Sequence, residues 1–104
     1  MTSVQDVGAQ APPAATQLAV RLQVLLRSVN RQIAGRAGDA PTAAFVCECA
    51  DRGCAEAVEV PVPIFRALQE QSRFLVVRPA HEDPLLERVV RRAGSYLVVE
   101  RSAG

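Results

Sequence analysis

Between Thr16 and Ile33 the apolar residues Leu18, Leu22, Leu25, Leu26, Val29 and Ile33 recur with the 3.6-residue period of an amphipathic helix. Thr16 is placed to cap its start, and Gly35 and Gly38 to end it. Val20 and Val24 fall on the opposite face, beside Arg27 and Arg31. Such residues are either scattered surface valines or a second contact surface, for a partner protein or for self-association. Downstream the period changes to that of strands. Ala44–Cys47 and Ala57–Val60 read as a hairpin, closed by a loop that carries every cysteine of the chain. Pro61 and Pro63 stop the second strand, and Pro63 opens a short helix bearing Ile64, Phe65 and Leu68. Phe74–Val77 is apolar throughout, as a strand covered on both faces would be. Asp83-Pro84 carries the signals of a helix start, with Leu85, Leu86, Val89 and Val90 as its buried side and Gly94 as its end. Tyr96–Glu100 is the last predicted strand.

These elements predict a single α+β domain over residues 16–104: a small antiparallel sheet of three to four strands, an N-terminal helix and one or two further helices. Residues 1–15, polar or small and holding Pro12-Pro13, read as a flexible tail. The 104-residue length allows one modest core. With no Trp, one Tyr and three Phe, that core must rest on Val, Leu, Ile and Ala. The formal net charge of +1 argues against a general nucleic-acid binder. A basic face formed by Arg88, Arg91 and Arg92 on the predicted last helix reads first as a solvated face, and second as a contact for an acidic protein or nucleic acid. No apolar run is long enough for a membrane span, and the N-terminus lacks the pattern of a secretion signal. An odd cysteine count fits a secreted disulfide framework poorly, so a cytoplasmic protein is expected.

The chemistry concentrates in FVCECADRGC, residues 45–54. Cys47 and Cys49 are two apart, so in an extended chain their sulfurs face one side. The turn sequence Asp51-Arg52-Gly53, with Gly53 suited to a left-handed backbone, can bring Cys54 back to the same point. Three thiolates form one face of a tetrahedral zinc site, and His81, the single histidine, is the natural fourth ligand. Glu48 and Asp51 are alternative fourth ligands. Other readings of the thiols are inert core residues or a metal-free redox switch, with Cys49 and Cys54 bridging the turn. Glycine-rich phosphate loops, G-x-S-x-G and HExxH are missing, which argues against an enzyme.

Four segments, Val29-Asn30-Arg31-Gln32-Ile33, FVCECADRGC, RFLVVRPAHEDPLLERVV and SYLVVER, resemble the shared core of a group of small actinobacterial proteins. The resemblance spans about residues 18 to 101. It implies that Cys47, Cys49, Cys54 and His81 belong together, and it carries no activity. Ala80 stands where the group has Gly, and Pro61-Val62-Pro63 replaces its Leu-Thr entry into the middle helix. The expectation is a zinc-binding module that contacts another protein as an adaptor or regulator. The alternatives are a thiol and zinc redox sensor, then a nucleic-acid-binding zinc module.

Overall fold

The structure, a computed structural model, describes residues 14–51 and 53–101, with side chains from Gln17 onward. The tail expected at residues 1–15 lies outside the described residues except for its last two, which are helical.

The order along the chain is α1 (Ala14–Ala37), β1 (Thr42–Val46), β2 (Ala57–Pro61), α2 (Val62–Leu68), β3 (Phe74–Val77), β4 (Glu87–Arg92) and β5 (Leu97–Arg101). This is the α+β class read from the sequence. The strands form two antiparallel sheets, a β1–β2 hairpin and a three-stranded sheet in the order β3–β5–β4. Glu48, just past β1, joins them. Its backbone N–H donates to the Val76 carbonyl at 2.9 Å, and its carboxylate accepts the Val76 N–H at 2.9 Å.

β3 and β5 are covered on both faces. On one side Val76 and Val98 meet Phe45, Val58, Val60 and Phe65, with Ala34 of α1 behind them. The Phe45 and Phe65 rings stack there with centroids 4.5 Å apart. On the other side Leu75, Val77, Leu97 and Val99 pack against Cys47 and Cys49. The thiols thus belong to the second half of the core.

Three expectations are corrected. First, α1 is rotated relative to its leucine stripe. Its buried face is Ala19, Gln23, Arg27, Asn30 and Ala34, while Leu18, Leu25 and Val29 stay 51%, 65% and 44% exposed. Hydrogen bonding decides this: the fully buried Glu48 carboxylate needs donors, and Arg27 and Asn30 supply them. The helix also starts at Ala14, so Thr16 lies inside it, and it runs past Gly35 to Ala37. Gly38, at φ 60°, provides the left-handed C-terminal stop.

Second, the helix expected after Asp83 is a strand. Its start signals produce one turn only. The Leu85 N–H bonds the Asp83 carboxylate, the Glu87 N–H bonds the Asp83 carbonyl, and the Glu87 carboxylate takes the Asp83 N–H in return. The β-branched pair Val89-Val90 then favours pairing with β5, with a bulge between Val89 and Arg91. Leu85, expected to be buried, projects into solvent.

Third, Arg88, Arg91 and Arg92 consequently lie on β4, at the edge of its sheet. Arg88 is held across the strands by Glu100 at 2.7 Å. Arginines on a bulged edge strand discourage pairing with another chain.

A candidate metal centre held between two turns

After Val46 the chain stays extended, and side chains alternate. Cys47 and Cys49 point to one side; Glu48 points to the other, into α1. The Asp51 carboxylate accepts the Gly53 N–H at 2.8 Å and its carbonyl accepts the Cys54 N–H at 3.0 Å, so an Asx turn returns Cys54 toward Cys47. Gly53 does not use a left-handed backbone there; among the described glycines only Gly38 does.

His81 arrives from a second turn, Arg78-Pro79-Ala80-His81, closed by the His81 N–H on the Arg78 carbonyl at 3.0 Å. Its Nδ1 lies 3.5 Å from Cys54 Sγ and 3.7 Å from Cys47 Sγ. The four ligand atoms of Cys47, Cys49, Cys54 and His81 all fall within 4.8 Å of one another. Neither carboxylate suggested as a substitute takes part: Glu48 is committed to α1 and Asp51 to its turn.

Pro79 presets φ at the second position of the His81 turn, and the third, Ala80, sits at φ 71°, a left-handed conformation that costs an L-residue about 1–2 kcal/mol. This gives a physical reason to favour glycine at that position. Ala80→Gly removes the strain and adds about 0.5–1 kcal/mol of unfolded-chain entropy. We expect a net gain of roughly 0.5–1 kcal/mol in urea unfolding of the metal-loaded protein. A loss would show that the turn is not strained.

Burial is the main influence on the thiols. It raises the Cys47 pKa and pushes that of Cys49 up to about 12. Against this, the Arg78 backbone N–H donates to Cys47 Sγ at 3.2 Å, an interaction that favours thiolate. In the described residues the three cysteines are free. Two buried thiols converging in a core leave negative charge uncompensated if ionised; a divalent cation at their centre would compensate it.

Behind the centre lies a polar network that sequence reasoning missed. Glu48 receives Arg27 through both carboxylate oxygens, at 2.8 and 3.0 Å, and Asn30 at 3.0 Å. Asn30 also pairs with the backbone of Val46 in both directions, like a neighbouring strand. Arg27 continues to the carbonyls of Leu68 and Gln69 at the end of α2, and to that of Phe74. Gln23 donates to the Glu48 carbonyl and to the Glu87 carboxylate, and accepts from Arg101. Burial raises the Glu87 pKa. The available signal was that 23, 27, 30 and 34 recur on one helical face, with a lone acid between two cysteines.

The residues suggested as a partner surface are dispersed. Arg27 is buried in the ion pair with Glu48, which removes it from any surface. Val20 is half-buried, whereas Val24 and Arg31 are exposed.

Among the described residues no helix is long and apolar enough to cross a membrane. Comparison with protein-family models, curated proteins and solved structures finds no match. The chain therefore stands on its geometry: an α+β fold with a Cys3His cluster suited to a metal ion.

Proposed function

We propose that this chain is a small cytoplasmic zinc-binding module without catalytic activity, whose closed metal centre holds a surface in place for another protein. The separations of His81 Nδ1 from two sulfurs carry the reading. A tetrahedral zinc with bonds of about 2.3 Å to sulfur and about 2.0 Å to nitrogen has sulfur–nitrogen edges of about 3.5 Å. The distances here are 3.5 and 3.7 Å. Three thiolates with one imidazole suit zinc, and four protein ligands fill its coordination, leaving no position for a substrate. The resemblance to the actinobacterial proteins points the same way, and a reducing compartment keeps the thiols available.

The test is metal content, with cobalt as a spectroscopic stand-in. Purified protein is expected to hold one zinc per chain, and cobalt(II) to give the intense thiolate charge-transfer bands of a tetrahedral site. Burial favours the protonated form of Cys47 and Cys49, so loading should release at least those two protons. Apparent affinity is then expected to rise by at least about 100-fold per pH unit near neutrality, read by chelator competition. Protein that takes up neither metal overturns the reading.

A second reading, a thiol and zinc redox sensor, draws on Cys54, which is half-exposed while Cys47 and Cys49 are buried. An oxidant reaches Cys54 first. Mild peroxide that releases no zinc and forms no disulfide rules the sensor out.

A further inference from the structure

One flank of α1 passes the end of β5, where the Arg101 side chain reaches Gln23. There Val24, Ser28 and Arg31 form the helix side of a crevice of about 180 Å³, with Ser72, Leu75 and Arg101 on the other side. None of Cys47, Cys49, Cys54 and His81 lines it, so this space is separate from the candidate metal centre.

Three guanidinium groups border the crevice, counting Arg27, and no carboxylate lines it. Arg27 is already matched by both carboxylate oxygens of Glu48. Arg101 is not matched in this way. Its Nη2 donates to the Gln23 side-chain oxygen at 3.0 Å, and its Nε, shut off from solvent, has no hydrogen-bond partner among the described residues. The nearest acid, Glu87, is taken by the other end of the Gln23 amide. Burial lowers the Arg101 pKa, and Glu87 offsets this only in part. A buried donor of a charged group is costly to leave without an acceptor, and such donors are rare unless something else completes them. Arg31 brings a further cation to the crevice. Its pairing with Glu70 at 3.0 Å lies in solvent, a contact that a stronger partner can replace.

Size and donor type select the occupant. Sites for drug-sized ligands hold about 300–1,000 Å³, so this smaller space suits a single compact group. A neutral group would leave the cations unanswered. A carboxylate offers two oxygens in one plane to four separate donor groups, Arg31, Arg101, Ser28 and Ser72. A tetrahedral oxyanion can meet them from several sides, and the planar fork of arginine matches it.

We propose that this crevice binds a small phosphate, either the inorganic ion or the head of a phosphate monoester, with Arg31 and Arg101 as its charged donors and the Ser28 and Ser72 hydroxyls as its neutral ones. The site goes beyond the zinc module proposed above, because it gives the protein a small-molecule ligand that neither the metal nor a protein partner supplies.

The test is titration of the zinc-loaded full chain with inorganic phosphate at constant ionic strength, followed by amide NMR shifts. Saturable shifts are expected at residues 28–31, 72–75 and 101. Arg101→Met should lower affinity about tenfold or more, the scale of a lost hydrogen bond to a charged group. Arg31→Met, at an exposed position that leaves the core intact, should lower it several-fold. Glu70→Gln, which frees Arg31, should raise affinity by up to about fivefold. Arg92→Met, exposed on β4 and outside the crevice, should change nothing. Glycerol phosphate titrated in parallel distinguishes the sources: affinity equal to or above that of inorganic phosphate marks a monoester head, and failure to bind marks the free ion. Equal zinc content in every sample keeps loss of the metal from being read as loss of phosphate binding. The proposal is overturned if the shifts do not saturate or fall outside the crevice, or if acetate binds as tightly as phosphate. It is also overturned if Arg31→Met and Arg101→Met both leave affinity unchanged, or if Arg92→Met lowers it as much as they do.

Discussion

Stripping the metal with a strong chelator is expected to cost this protein most of its stability, and replacing Cys47 to cost nearly as much. Structural zinc contributes about 10–16 kcal/mol in small peptides near neutral pH, against about 5–15 kcal/mol for the whole stability of a typical domain. The geometry says which part fails first. The centre fastens the 47–54 loop to the turn before β4, and Cys47 and Cys49 pack with Leu75, Val77, Leu97 and Val99. Without a cation that half of the core is closed by buried thiols alone. The opposite half, around Phe45 and Phe65, has no ligand in it and should hold longer. Amide exchange in the metal-free protein should therefore rise first at residues 47–54 and 78–81, and only later in β1 and β2. The variants should be graded. Cys47→Ser removes a buried ligand that also accepts the Arg78 N–H, whereas His81→Ala leaves three thiolates able to hold the metal with a water. Zinc affinity and the urea midpoint should fall further for Cys47→Ser. Chelation that leaves the midpoint unchanged would show that the fold stands without the centre.

The clustering of Cys47, Cys49, Cys54 and His81 was legible because candidate metal-binding side chains are few and the spacing of Cys47 and Cys49 fixes their direction. The β1–β2 hairpin, α2 and β3 were legible for a similar reason: proline and short apolar runs mark them locally. The phase of α1 was not. Six apolar residues outvote five of mixed character in any periodicity, and what reverses the vote is a carboxylate 21 positions from Arg27 in sequence. A buried acid commands donors wherever they lie, and the stripe is left to face outward. The 83–93 segment failed differently. Asp83 and Pro84 are true turn signals, but Val89-Val90 fits either period. Only the partner strand β5 decides it, from across a hairpin.

Glu48→Gln should destabilise the protein by about 3–5 kcal/mol while leaving one zinc per chain, the cost expected when one member of a buried ion pair is removed. Glu48 is fully buried and sits between two cysteines of the cluster, so position in the sequence alone would class it with them. Its carboxylate instead takes both ends of the Arg27 guanidinium, the Asn30 amide and the Val76 N–H. A neutral amide can accept at one atom only, and it turns its NH2 toward Arg27 or Asn30, donor against donor. Arg27 is then a buried cation without its counter-charge. Combining the change with Arg27→Met should cost less than the sum of the two single losses, although not nothing. The carbonyls of Leu68, Gln69 and Phe74 also lose their donor. Salt should barely alter these differences, because the pair is shielded from solvent. A cost below about 1 kcal/mol for Glu48→Gln would mean that the pair behaves like a surface contact, and that packing of Ala19 and Ala34 alone sets the phase of α1.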